Sequence, residues 1–266
     1  MGQSTAVTER PKNPLQVLLG VLLRPRATMT YLSTARRRWW WVVALLMVAA
    51  LTVQGFAYSK AELRYSFQRQ LEYYESLSVA ERQMMFPEPP MEPQVSVFSL
   101  STGIGVGAKV LGTIVTWLVW AGLLYLASTF LGQNRAGFGA FYGIVAWAWV
   151  PYVIRNAVQA IAMTVTGSAI YNQGLSGLVI DKTPPPITPI WQPPISPSMG
   201  DQVLAAFLAR TDVYMIWNLV LLVLGVAALS HLSGRKALLG TLVIWILFTL
   251  LSLLPTLIGL NQGFRM

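Results

Sequence analysis

Five stretches without a charged residue, beginning near Trp39, Val110, Ala136, Val213 and Ala237, constrain this chain more than any other feature. A helix that crosses a bilayer needs about 20 consecutive, mostly apolar residues, and each stretch has the room for one. The spans are expected at about 39–58, 105–131, 137–165, 213–232 and 237–260. The short gaps between them sort by charge. The N-terminal segment, the turn around Arg135 and the turn at Arg235 and Lys236 fall on one side. That side holds ten basic residues (Arg10, Lys12, Arg24, Arg26, Arg36, Arg37, Arg38, Arg135, Arg235, Lys236) and one acid, Glu9. The remaining nine basic and nine acidic residues fall on the other side and cancel. The whole formal charge of +9 thus sits on one face. By the positive-inside rule that face is cytoplasmic, with the N-terminus in and the C-terminus out.

The expected fold class is therefore all-α, a polytopic membrane helix bundle of five transmembrane helices with a cytoplasmic N-terminal amphipathic helix. Composition agrees, with 55% hydrophobic and only 11% charged residues, against roughly 25% charged in globular proteins. There is no cysteine, which removes disulfides, thiolate catalysis and Cys-based metal sites, and the single histidine, His231, leaves no His cluster. The basic residues flank apolar spans, so anionic lipid headgroups rather than nucleic acid are the expected counter-charge. Residues 1–38 do not read as a cleavable signal peptide.

Along the chain, residues 1–12 are polar and expected to be disordered. Asn13 and Pro14 read as an N-cap and a first helical residue, opening a cytoplasmic segment at 13–35. Its Leu-rich run is too short to span and ends at Pro25. Two readings stay open: an interfacial helix on the leaflet or a short helix packed under the bundle. Arg36, Arg37, Arg38, Trp39, Trp40 and Trp41 place three guanidinium groups at the headgroups and three indoles at the hydrocarbon boundary. They form a lipid-interface site, either a specific one or a generic anchor. A membrane domain at 36–260 follows, with external segments at 59–104 and 166–212.

In the first external segment, Leu63, Phe67, Leu71 and Tyr74 recur at helical spacing, and Ser78 with Glu81 fits a capping box. Gly103 and Gly107, then Gly139 and Gly143, have the four-residue spacing that lets helices approach closely. Lys109 and Arg155 are the intramembrane polar candidates. Lys109 is placed to snorkel outward. Arg155 lies about a turn beyond Pro151, which is expected to kink the third span. It is either functional, or it snorkels or bonds carbonyls that Pro151 frees. Residues 183–198 hold seven prolines and favour extended polyproline geometry, as a spacer or as a ligand for an aromatic groove. Pro255 is expected to kink the last helix.

Three places resemble the Yip-domain family, five-span membrane proteins known through Ypt/Rab-interacting members. The first is Arg24, Pro25, Arg26, Ala27, Thr28 and Met29 after a Leu-rich segment. The second is the glycine turn from Leu131 through Phe138 with the later Ala146, Trp147, Ala148, Trp149, Val150 and Pro151. The third is the hairpin of Leu232, Ser233, Gly234, Arg235, Lys236, Ala237 and Leu238. The resemblance covers roughly residues 14–260 and points to a prokaryotic member in the cell (inner) membrane. It implies no enzyme activity and no cofactor. The Asp-Leu-Tyr-Gly-Pro segment of eukaryotic members is absent, which argues against a Rab-type partner. The expected role is a non-catalytic membrane scaffold or accessory subunit of a larger membrane complex. Its partners would be anionic lipids on the cytoplasmic side and other membrane subunits or a second copy. The alternative is a transporter or channel component for a small anionic solute. No pair of membrane acids and no metal-ligand cluster supports an intramembrane enzyme.

Overall fold

The computed structural model describes residues 13–35, 39–86, 88–91, 100–130, 136–181, 198–230 and 232–263, with side chains to residue 254. Among them there is no strand, and ten α-helices follow in order: α1 (Pro14–Leu23), α2 (Pro25–Thr34), α3 (Trp40–Ser76), α4 (Val79–Met85), α5 (Leu100–Phe130), α6 (Phe138–Ala148), α7 (Val150–Thr166), α8 (Met199–Leu208), α9 (Val213–Ser230) and α10 (Gly234–Gly263). A short 3-10 turn, Ser176–Leu178, lies between α7 and α8. Four of the helices are long and apolar enough to cross a membrane: α3, α5, α9 and the Gly234–Leu254 part of α10.

Local chemistry sets several of these boundaries. Asn13 accepts from the Gln16 N–H at 2.8 Å while Gln16 accepts from the Asn13 N–H, the expected N-cap in its capping-box form. Pro25 has no N–H to continue α1, so the chain restarts there as α2. Ser78 and Glu81 form the second capping box and open α4.

Other boundaries differ from those expected. Nothing breaks the helix near residue 58, so α3 runs on for 37 residues. At about 1.5 Å per residue it is roughly 55 Å long, well beyond a hydrocarbon core of about 30 Å. The stretch expected as the third span is two helices rather than one kinked helix, divided at Trp149. Pro151 cannot donate, and its ring crowds the carbonyl four residues earlier. Trp149 instead closes a tighter turn, its N–H meeting the Ala146 carbonyl at 3.1 Å. The segment 166–212, expected to be external loop, is not loop throughout. The Ser198 hydroxyl accepts from the Asp201 N–H and starts α8. α10 continues past Pro255 to Gly263. Residues 1–12, Arg36–Arg38, 131–135, most of the proline-rich stretch and His231 lie outside the described residues.

The chain divides into two compact units. The first comprises Met1–Leu45, Thr116–Val150 and Asn218–Ile244. Its core is dense: Val17, Val21, Met29, Leu32, Val43, Trp117, Leu124, Phe141, Ile144, Trp147, Leu221 and Leu222 are all buried. There α1 packs on α2 and α2 on α6. Gly20 permits the α1–α2 contact, since a Cβ on it would sit 2.4 Å from the Thr28 hydroxyl. The second unit comprises Leu46–Val115, Pro151–Trp217 and Trp245–Met266. Its buried residues are fewer and smaller on the whole, among them Met47, Ala50, Leu51, Ala61, Ala160, Met163 and Ala205.

Candidate functional site

Arg155 lies inside α7, and it neither reaches for the Pro151 region nor stands alone. Its Nε is 3.0 Å from the Asp212 carboxylate, with both side chains about 15% exposed. The other Asp212 oxygen accepts from the Met215 N–H at 2.8 Å. One carboxylate thus neutralises Arg155 and caps the first turn of α9, where a negative charge also meets the positive end of the helix dipole. Arg155 keeps one buried nitrogen, Nη2, without a hydrogen-bond partner.

A backbone carbonyl beside the break is held by a different residue. Asn218 Nδ2 donates to the Ala148 carbonyl at 2.8 Å in a fully buried position of the first unit. A neighbouring side chain thus supplies a donor where α6 ends, as happens at interruptions of membrane helices. Asn218 sits in a strongly apolar run, and an amide in that setting is the signal by which sequence alone would have found it.

A row of weaker contacts joins α3, α5 and α7 in the second unit. Lys109 Nζ lies 3.4 Å from Gln54 Oε1, and Gln54 Nε2 lies 3.4 Å from Gln159 Oε1. Asn156 Nδ2 points at the Met47 sulfur at 3.6 Å, and the Ser59 and Thr102 hydroxyls pair at 3.0 Å. Gln54 is buried, whereas Lys109 is exposed on α5.

Of the lipid-interface residues, Trp39, Trp40 and Trp41 are described. Trp39 takes a left-handed backbone, φ 47°, immediately before α3. Trp40 and Trp41 are both exposed, yet Trp40 also meets the Tyr142 ring edge-on at 5.3 Å. The three indoles therefore differ in role: Trp40 holds α3 to α6, and Trp41 turns outward.

The glycines divide differently from their sequence spacing. A Cβ on Gly103, Gly107 or Gly139 would meet nothing within 4 Å, and Gly143 is buried in α6. The tight approaches inside the chain are elsewhere. A Cβ on Gly225 would fall 2.2 Å from Ile144 Cγ2, and one on Gly55 would fall 2.5 Å from Val106 Cγ2. Neither has a glycine partner four residues away, so the spacing rule overlooks both.

Two further groups were not anticipated. On α3, Tyr58 and Tyr65 flank Tyr171, with ring centroids 6.3 and 5.9 Å away. Burial, then the neighbouring Glu62 carboxylate, pushes the Tyr171 hydroxyl above its ordinary value of 10.0. Glu62 Oε2 and Tyr171 Oη are buried without a hydrogen bond. In the first unit, a crevice of about 10 Å³ is lined by Leu124, Ser128, Val226, Lys236 and Thr241, among others. The Ser128 and Thr241 hydroxyls are buried there without partners. The crevice is far below the roughly 300–1,000 Å³ of a typical small-molecule site. No group of three His, Cys, Asp or Glu among the described residues is placed to hold a metal ion.

The polar groups described here do structural work at helix ends, breaks and crossings of a multi-pass bundle, with no nucleophile and base brought together. No curated protein and no solved structure matches the chain. Residues 19–254 match the Yip1 domain, which takes in the second half of α1, all of α2 through α9, and α10 as far as Leu254. The chain is a multi-pass integral membrane protein of the Yip1 domain family.

Proposed function

We propose that this protein is a non-catalytic scaffold or accessory subunit of a larger membrane complex, docking to another membrane protein or a second copy through the first half of α5. The observation that carries this reading is the bareness of that helix face. Leu100, Ile104 and Leu111 are 81, 63 and 63% exposed, and a Cβ on Gly103 or Gly107 would meet nothing within 4 Å among the described residues. Glycines at this spacing permit close approach of a further helix. The ionisable pair at Arg155 and Asp212 supports the same reading, because it is committed to helix capping rather than to chemistry.

In this reading α6 and α7 together make the fifth span, the N-terminus is cytoplasmic and the membrane is a prokaryotic cell membrane. Arg36, Arg37 and Arg38 with the Trp39–Trp41 indoles engage anionic headgroups. α1 lies on the same leaflet. Val17 and Val21 face the protein, while Leu15, Leu19 and Leu23, one turn apart, are exposed for acyl chains.

The test is the mass of the particle isolated from its own membrane in nanodiscs, in wild type and in Gly103→Leu and Gly107→Leu. A stoichiometric assembly that these variants lose supports the reading. Gly112→Leu, half a helical turn round from Gly103, should retain the assembly. A wild-type monomer, or an assembly indifferent to all three changes, refutes it.

The Lys109–Gln54–Gln159 row favours a second reading, a component that moves a small anionic solute. Anion flux in proteoliposomes that Lys109→Gln abolishes would support it, and flux unchanged by that substitution would remove it.

A further inference from the structure

The 3-10 turn and α8 occupy the segment that links α7 to α9, and three observations fix their depth. At its C-terminal end α8 is tied to the level where two spans leave the bilayer. Arg210 donates to the Ala206 carbonyl and, at 3.1 Å, to the carbonyl of Ser252. Ser252 lies eighteen residues into α10 from Gly234, about 27 Å along the axis and so near the far side of a hydrocarbon core of about 30 Å. Asp212, two residues after Arg210, opens α9 at the same level. Next, the Phe207 ring meets Trp245 at 6.3 Å. Trp245 lies seven residues before Ser252, about 10 Å along a helix axis, so the apolar side of α8 reaches deeper than that level. Finally, the 3-10 turn is fastened to α8. The Leu175 N–H donates to the Leu208 carbonyl at 2.9 Å, and Gly174, with φ +55°, is hemmed in by the carbonyls of Leu208, Ala209 and Thr211.

At that depth the pair turns leucines outward. Leu178 is 79%, Leu204 46% and Leu175 43% exposed. Residues 156–180 contain no charged side chain, whereas the exposed start of α8 carries Asp201. A leucine held exposed at the end of a span, on an uncharged segment, faces hydrocarbon and not water. We propose that the 3-10 turn and α8 form a cap seated in the lipid leaflet where α9 begins beside α10, with Leu175, Leu178 and Leu204 among the acyl chains and the Ser198–Asp201 start of α8 at the headgroups. The segment between α7 and α9 then has a membrane-binding surface of its own. That surface is independent of the α5 face on which the scaffold reading rests.

The chain has no cysteine, so a single introduced thiol carries a spin label alone. Leu178→Cys, Leu204→Cys and Asp201→Cys would each be labelled in the full chain in nanodiscs and probed with dissolved oxygen and with a water-soluble nickel chelate. These side chains are exposed, so the labels test position and leave packing intact. Oxygen should relax the labels at 178 and 204 severalfold more than the chelate does, with the order reversed at 201. Chelate access at 178 and 204 equal to that at 201 would put the cap in water and overturn the proposal. Labels at 178 and 204 shielded from both probes would place a protein surface there instead of lipid, and would overturn it equally.

Discussion

Replacing Asp212 separates the two tasks of its carboxylate. Asp212→Asn keeps an oxygen to accept from the Met215 N–H, and Asn is as good an N-cap as Asp. It removes only the charge that meets Arg155 Nε at 3.0 Å. Both side chains are about 15% exposed. An uncompensated charge in a fully buried pair costs about 3–5 kcal/mol, and an exposed pair contributes about 0.2–1 kcal/mol. For a pair this enclosed at the end of a span, Asp212→Asn should cost about 2–3 kcal/mol, inside those bounds. Asp212→Ala should cost about 1 kcal/mol more, for the lost cap. Arg155→Met alone leaves the carboxylate with its capping N–H and should cost less than Asp212→Asn. The double variant Arg155→Met with Asp212→Asn should recover most of the loss, giving a coupling of about 2 kcal/mol in the double-mutant cycle. The ten tryptophans give a fluorescence signal for denaturant unfolding in mixed micelles, by which the wild type and all four variants can be compared. A coupling below about 0.5 kcal/mol would show an ordinary surface pair. An Asn variant as damaging as the Ala variant would show that capping contributes nothing separable.

Three other outcomes follow from single contacts. Gly225→Ala should destabilise by about 1–3 kcal/mol, since its Cβ would fall 2.2 Å from Ile144 Cγ2; adding Ile144→Ala should restore part of this, read by the same unfolding assay, and no recovery would mean the contact is not the cause. Asn218→Leu should cost about 1–3 kcal/mol by orphaning the buried Ala148 carbonyl, read by the same unfolding assay, and an unchanged stability would mean the bond contributes nothing. The Ser78 hydroxyl and N–H hold the Glu81 carboxyl below its ordinary value of 4.5. The capping contribution is therefore complete above pH 4.5 and is lost as pH falls below it through the depressed value. Hydrogen exchange of α4 amides, corrected for intrinsic rate, should lose protection in that window, and Glu81→Gln should flatten the dependence.

The Ser78–Glu81 capping box was legible because it rests on residues three apart in sequence, and Asn13 was legible as an N-cap from the Pro14 beside it, though not its reciprocal bond with Gln16. Pro25 as a stop was legible because a missing N–H acts on its own helix, and at Pro151 the same reasoning expected a kink where the helix divides. The membrane family was legible in the order of spans and turns. What escaped depends on which helix lies opposite. Gly225 and Gly55 look like ordinary span glycines until Ile144 and Val106 are set against them. Asp212 reads as a span-end acid until Arg155, 57 positions earlier in sequence, arrives at 3.0 Å. The long external segment hid α8 because the prolines before it suggested loop, although Ser198 and Asp201 mark a start three residues apart.

The polar residues of this bundle also explain why so apolar a chain adopts one arrangement. Hydrocarbon gives helices no hydrophobic reason to prefer one neighbour over another, so pairing falls to close packing and hydrogen bonds. Asn218 fits where α6 ends, with its amide on the Ala148 carbonyl. Asp212 fits only where α9 begins beside Arg155. Both contacts select a register between elements far apart in sequence, and neither needs a substrate to account for it. Over Leu100–Val115, α5 meets α3 through Thr102 with Ser59 and through the outward-lying Lys109 with its buried partner Gln54. The opposite side of that half, with Leu100, Ile104 and Leu111 exposed, is open to the close packing that a second helix on Gly103 and Gly107 would make, which is why the assembly state of the glycine variants is the measurement that bears most directly on function.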